Sequence, residues 1–330
     1  MFLNIIGGSG FIGTRLCQRL IKRNSFPFSI IDKSTSKSFP DLTKIADVRS
    51  VDELRKTISD GAVIVNLAAE HRDDVRPLSM YDEVNVEGAR NICLVAREKN
   101  VKTIIFTSSV AVYGFAPIGT LEDGKISPFN DYGRTKYEAE LVFRSWQEES
   151  PNERTLVVLR PTVVFGEQNR GNVYNLLRQI ASGRFLMIGD GENRKSIAYV
   201  ENVVAFLEFS TGFQPGIHTY NFIDKPDLSM NTMVKTVNKI MGRSEKIGVR
   251  LPYWLGFSIG KCFDLLAALT GKKMTISSIR VKKFCSNSVF DTSIHKTGFV
   301  SPVALDNALS QTVIYEFVES NDGEQVFYSE

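Results

Sequence analysis

The first half of the chain alternates short, β-branched apolar runs with longer segments of helical period, and few folds accommodate that order. The runs are "FLNII", "FSII", "AVIVNLAA", "TIIFTSS" and "LVVLRPTVVF". They are apolar almost throughout, as strands must be when helices cover both faces of a parallel sheet. Between them, "FIGTRLCQRLIKRN" and "MYDEVNVEGARNICLVAREKN" space their apolar residues at helical intervals. The expected architecture is α/β, a doubly wound parallel sheet. After about Gly166 the rhythm breaks, and turns such as "GDGEN" and "STGFQPG" separate isolated helices and strands. This order predicts a sheet domain over residues 1–167, to which part of about 197–224 returns, and a smaller α/β lobe over 168–330.

At 330 residues the chain buries a large core without staples. Cys17, Cys93, Cys262 and Cys285 form no C-x-x-C pair, and His71, His218 and His295 lie far apart, so neither a metal site nor a disulfide framework is expected. The net charge of +3 is spread without a long basic run, which argues against a nucleic-acid partner. "MFLNII" lacks the cationic start of a secretory signal, and a cytoplasmic location is the expectation. The most apolar segment, "LPYWLGFSIGKCFDLLAALTG", carries Lys261 and Asp264 near its middle, where a bilayer would make them costly. It reads as a buried or groove-lining helix, with membrane-surface contact as the lesser alternative; no membrane insertion is expected.

"GGSGFIG" follows the first apolar run directly and places Gly7, Gly10 and Gly13 three apart at a strand-to-helix turn, with Phe11 and Ile12 opening the helix. A dinucleotide pyrophosphate needs glycine there for a tight bend, for close backbone approach, and for close packing of helix on strand. The helix N-terminus then faces the anion. The spacing G-x-x-G-x-x-G departs from the G-x-G-x-x-G fingerprint, so the turn alone leaves a plain tight bend open. Asp32, at the end of the second run, stands where a carboxylate accepts hydrogen bonds from ribose hydroxyls and repels a 2′-phosphate, which favours NAD over NADP. Lys33 beside it is the counterargument, and a turn-initiating aspartate the plain alternative.

"DYGRTKYEAELVF" puts Tyr132 and Lys136 four apart at the start of a helix, on one face. A phenol is a poor base at neutral pH, but a neighbouring ammonium and the cation of an oxidised nicotinamide favour the phenolate. Tyr132 then becomes a general base towards a sugar or alcohol hydroxyl. "TSSVAVYG" follows another apolar run, and open α/β sheets bind ligands at the carboxyl ends of their strands, so Ser109 is placed to hydrogen-bond the reacting oxygen.

Taken together and in order, the glycine turn, "ADV" at 46–48, "NLAA" at 66–69, "NVEGARN" at 85–91, "SSVAVYG" at 108–114, "YGRTK" at 132–136 and "RPTVVFG" at 160–166 make the chain resemble the extended short-chain dehydrogenase/reductase family. Within it, the resemblance is to the nucleotide-sugar epimerases, dehydratases and reductases, over nearly the whole chain. It implies a Rossmann domain holding the cofactor with Gly7, Gly10, Gly13 and Asp32, with Asp47 and Val48 near the adenine. Leu67, Ala68 and Ala69 would line the cofactor and Asn85 would steady the region. Ser109 would orient the substrate oxygen, Tyr132 would move its proton, and Lys136 would lower the tyrosine pKa and hold the nicotinamide ribose. A homodimer through the helices near 84–100 and 131–149 is usual in the family.

Departures from the family pattern narrow the activity. Sugar 4,6-dehydratases carry an Asp-Glu pair after the catalytic hydroxyl residue, and here Val110 and Ala111 stand there, neither able to transfer a proton. "GDGENRKSIAYVENVV" resembles the segment that supplies an arginine to the nucleotide diphosphate. Arg194 is the favoured cation and its neighbour Lys195 the other candidate, because only a guanidinium offers a bidentate fork. Arg280, in "SSIRVKKF", is a further candidate. Val163 replaces an asparagine found in many epimerases, which keeps a reductase in view. The leading expectation is a NAD-dependent 4-epimerase of a UDP-hexose or UDP-N-acetylhexosamine. The rival is a reductase of a nucleotide-linked 4-keto-6-deoxy sugar, and a non-catalytic dinucleotide-binding protein is third.

Overall fold

The computed structural model describes residues 1–72, 75–270 and 277–328. Its main sheet has seven strands in the order β10-β6-β5-β4-β1-β2-β3. These are β1 (Leu3–Ile6), β2 (Phe28–Asp32), β3 (Thr43–Ile45), β4 (Val63–Asn66), β5 (Thr103–Thr107), β6 (Thr155–Pro161) and β10 (Gly216–Phe222). Every pairing in it is parallel. β1, β4 and β6 are buried along their whole length, as strands covered on both sides require.

The helices divide between the two faces. Leu3 and Ile5 of β1 join one core with residues of α1 (Phe11–Arg23), α7 (Val200–Ser210) and α11 (Leu305–Phe317). Ile6 joins the other with α2 (Val51–Thr57), α4 (Gly88–Glu98) and α5 (Asp131–Glu148). Asn4, polar and fully buried, donates to Ser29 Oγ at 2.8 Å and accepts from Ser59 N at 2.8 Å, so its burial leaves no orphaned group. A short helix α3 (Ser79–Tyr81) and a π-helical turn over Asp82–Glu87 lead into α4.

From β1 the chain winds outward to β2 and β3, then crosses to β4 and winds the other way. The reversal falls between β1 and β4, and ligands of such sheets bind at this crevice, outside the strands' carboxyl ends.

After β6 the chain builds a second lobe. A three-stranded sheet joins β7 (Val163–Phe165), β9 (Arg194–Tyr199) and β11 (Asp224–Ser229), and a two-stranded one joins β8 (Met187–Ile188) to β12 (Arg250–Leu251). Around them lie α6 (Asn172–Ala181), α8 (Met230–Ile240), α9 (Tyr253–Thr270) and α10 (Ser278–Cys285). Between β9 and β11 the chain re-enters the first lobe: α7 packs on α1, and β10 pairs with β6 from Gly216 opposite Thr155 to Phe222 opposite Pro161.

The apolar segment near 251–271 departs from expectation. It forms α9, but the only buried residues of that helix are Gly256 and Gly260. A side chain at Gly260 would lie 2.8 Å from Ser278 Cα, and one at Gly256 2.7 Å from Ile188 Cγ2, so α9 touches the molecule along a narrow glycine stripe. Asp264 accepts from Ser278 Oγ at 2.5 Å and serves the start of α10. Most of the apolar surface faces outward, because apolar composition shows only that a helix wants cover, not that its own chain supplies it. No described helix is long and apolar enough to cross a membrane.

Candidate active site

At the end of β1 the chain turns through Gly7 with φ +77°, and a side chain there would lie 2.5 Å from Ala68 N, just beyond β4. A side chain on Gly13 would lie 2.5 Å from Gly8 Cα, so α1 seats on the turn only with glycine there. Gly10 differs. It is the N-cap of α1, a side chain there would meet nothing closer than Gly7 O at 3.5 Å, and it lines a cavity of about 1300 Å³. The free N–H groups of α1 and the missing side chain leave a cradle shaped for a pyrophosphate. Phe11 and Ile12 line it too.

Asp32 closes the far side of that cradle. Its Oδ2 accepts from Ser9 N and its Oδ1 from Ser34 N, each at 3.0 Å. A carboxylate offers about four acceptor positions, so capacity remains for the two hydroxyls of a ribose. Asp47 and Val48 line the cavity next to it, with Asp47 paired to Arg49 at 2.7 Å and its carboxyl held below the usual range by that guanidinium. Leu67, Ala68 and Ala69 line the other wall. Asn85 accepts from Glu70 N at 2.8 Å and donates to Glu70 O and Thr135 Oγ1, both at 3.0 Å, which ties the segment after β4 to α5. These residues fit NAD: a glycine cradle at a helix N-terminus, and a carboxylate where a 2′-phosphate would be repelled.

Asn130 caps α5 by accepting from Gly133 N at 2.9 Å, and the first turns of that helix aim Tyr132 and Lys136 into the cavity. Ser109 reaches it from the end of β5 and is turned by an acceptor bond from Ala111 N at 3.1 Å. Tyr132 stands close enough to Ser109 for that hydroxyl to act to lower the phenol's pKa, but burial outweighs this and raises it overall. Lys136 is 3% exposed, donates to Thr107 O at 2.6 Å, and lies 4.6 Å over the Phe106 ring. Burial brings its pKa down to about 7, with Glu140 opposing.

The protein alone therefore does not show the expected depression of the Tyr132 pKa by Lys136. Desolvation acts on both groups, holding the phenol protonated and weakening the ammonium that was to activate it. Beneath them, Glu140 forms a buried ion pair with Arg160 at 2.6 Å and accepts from Ser108 Oγ at 2.5 Å, which fixes the end of β5.

The second lobe closes the other end of the cavity with cations. Lys195 and Arg280 line it; Arg194 does not, and is exposed. Successive residues of a strand face opposite sides, so along β9 one of two adjacent cations points inward and the other to solvent. Lys195 Nζ donates to Lys283 O at 2.8 Å and Ser286 O at 2.7 Å, and burial brings its pKa down to about 8. Val110, Ala111 and Val163 also face the cavity.

Among the lining residues that were not anticipated are His71, Phe115, Phe129 and Lys283. Lys283 lies 4.5 Å over the Phe129 ring, and Phe115 stands 5.1 Å from Phe129. Lys283 was within reach of sequence reasoning, three residues after Arg280 on one helix face. The two phenylalanines had no periodic signal, since they sit in irregular chain.

A family model described as NAD dependent epimerase/dehydratase family matches residues 3–215. An N-acetyl-alpha-D-glucosaminyl-diphospho-ditrans,octacis-undecaprenol 4-epimerase of Escherichia coli O157:H7 is 48% identical over 329 residues, covering 99% of this chain and 98% of its own. A UDP-glucose 4-epimerase of Vibrio cholerae is 28% identical, over 81% of this chain and 84% of its own. Among solved structures, a Thermotoga maritima UDP-glucose 4-epimerase with UDP-glucose shares the fold at TM-score 0.73 and 21% identity, covering 96% of this chain and 98% of its own. The glycine cradle, the Ser-Tyr-Lys set and this match over more than half the length lead to one conclusion: the chain belongs to the NAD-dependent epimerase/dehydratase family, within the extended short-chain dehydrogenase/reductases.

Proposed function

We propose that the protein inverts C4 of an N-acetylhexosamine carried on a diphosphate, and that the group beyond the diphosphate is a polyprenyl chain. The chemistry rests on one observation: Ser109, Tyr132 and Lys136 meet in a cavity with Gly10 and Asp32 at one end and Lys195 and Arg280 at the other. The volume, about 1300 Å³, exceeds the roughly 300–1,000 Å³ of an ordinary ligand pocket and leaves room for a cofactor and a sugar diphosphate together. The carrier is supported by the relative with 48% identity, whose sugar is linked to undecaprenol. The uridine expected from sequence is the second reading, favoured by the Vibrio cholerae relative.

NAD, when bound, supplies reversible uptake of the C4 hydride and a cation that offsets the effect of burial on the phenol. Tyr132 takes the O4 proton as C4 is oxidised to the ketone and returns it when the hydride comes back to the other face. Ser109 holds O4 in line with the phenol. Lys136, fixed on Thr107 O, would carry the charge that favours the phenolate and would hold the nicotinamide ribose. Lys195 and Arg280 hold the diphosphate while the keto sugar turns over. The lobe after residue 167 is thus the substrate lobe. We also place a homodimer interface on the outer faces of α4 and α5, which expose Leu94 and Leu141, and the protein in the cytoplasm.

The test uses protein without added cofactor, incubated with N-acetylglucosamine diphosphate on a short water-soluble prenyl chain and, separately, with UDP-N-acetylglucosamine. NMR should show the C4 epimer of the prenyl substrate, and Tyr132→Phe should lower kcat by about 10²–10⁴ while NAD stays bound. Conversion of the UDP sugar alone would move the carrier to uridine. Stoichiometric oxidation of NADH or NADPH, with no epimer formed, would replace the epimerase by a reductase.

A further inference from the structure

The outward face of α9 is too large and too apolar to be left to water. Trp254 is 67% exposed, Leu265 62% and Leu269 74%, and Ile259 and Leu266 lie exposed around the same surface. Contiguous exposed apolar surface of this kind marks a binding face. Its surroundings are basic. α9 packs on α10, which carries Arg280, Lys282 and Lys283 and no acidic residue. The one carboxylate of α9, Asp264, is taken up by Ser278. Lys261 lies 5.7 Å over the Phe257 ring with its ammonium at the helix surface.

The same basic helix borders the cavity. Arg280 and Lys283 line it, Lys282 lies 5.9 Å over the ring of exposed Phe115, and Lys283 sits over exposed Phe129. One continuous surface therefore runs from the apolar helix, across a basic helix, to the aromatic mouth of the cavity. An apolar helix face with a tryptophan, rimmed by cations, fits the boundary between acyl chains and anionic headgroups.

We infer that α9 docks the protein on an anionic bilayer surface, lying in the interface without crossing it, and so presents the cavity mouth to a substrate whose polyprenyl chain stays in the membrane. The inference rests on the polyprenyl reading above and adds the element that brings enzyme and lipid together. Charge complementarity selects the bilayer over a second copy of this chain, because two copies meeting face to face here would bring two basic helices together.

The full chain carries its own probe. Of its two tryptophans, Trp146 is fully buried and Trp254 is on the docking face, so a change in emission on adding vesicles reports α9. With phosphatidylcholine vesicles containing a quarter phosphatidylglycerol, emission should shift to shorter wavelength and the protein should co-sediment. Leu265→Gln with Leu269→Gln should weaken co-sedimentation about tenfold or more. That variant should keep the parent's turnover of the short water-soluble prenyl substrate and lose turnover of a long-chain substrate embedded in vesicles. Unchanged emission with vesicles overturns the inference, as does equal co-sedimentation of the variant. So does a parent dimer that the leucine substitutions split while the parent ignores vesicles. Vesicle binding with no epimerisation of either lipid would leave the docking face standing and remove the substrate assigned above.

Discussion

Lys136 is where burial and chemistry pull in opposite directions. The proposed mechanism sets its ammonium beside Tyr132, yet the site that holds it lowers its pKa from 10.5 to about 7. Between those values the unfolded chain binds a proton that the folded chain does not, so the stability of the cofactor-free protein rises with pH across that window. Below about pH 7 the cost of the buried charge is present in full. Lys136→Met removes the titrating group. Urea midpoints at pH 6 and pH 9.5 should show the parent gaining on the variant as pH rises, with the variant nearly flat from this source. A gap between the two proteins that stays constant would mean that Lys136 is not desolvated as described. Sequence spacing put Tyr132, Lys136 and Ser109 together, since helix period and strand ends are local properties. It did not reveal that desolvation outweighs their mutual effect, because burial is contributed by residues distant in the chain.

The turn from β1 into α1 should separate folding from binding within seven residues, if NAD lies where proposed. Gly13→Ala would press a methyl group against Gly8 and should destabilise the protein by about 1–3 kcal/mol. Gly10→Ala meets no close neighbour in the protein and should leave its thermal midpoint nearly unchanged while weakening NAD retention strongly, because the methyl group enters the cradle. Equal loss of stability in both variants would refute that division of labour. Strands were legible here because a parallel sheet covered on both faces demands continuous apolar runs. α9 was legible as a helix but not as an uncovered one. Arg194 and Lys195 show the limit most sharply: they are adjacent, both are cations, and only the facing of β9 decides which of them enters the cavity.

The two ends of the cavity belong to different lobes, and under the proposed assignment binding of the two ligands should be separable. Lys195→Ala and Arg280→Ala should raise KM for the sugar diphosphate about tenfold or more, the value of a lost charged hydrogen bond, with NAD retention unchanged. Arg194→Ala should leave KM near that of the parent. An Arg194→Ala defect larger than that of Lys195→Ala would return the diphosphate to the cation first favoured from sequence. The sheet's division into two winding halves was readable in the order of apolar runs. For a return of the later chain to that sheet the sequence offers only the approximate span of about 197–224, since edge pairing depends on which strand is left open. β10 fills that edge beside β6, with α7 laid over α1. The lobes are consequently stitched together by several passes of the backbone rather than hung on a single tether. Severing the polypeptide after β6 would strip the catalytic half of its border strand and leave a sticky rim. Any opening and shutting around ligand has to bend several backbone crossings at once, since a thread sewn back and forth does not swing like a door.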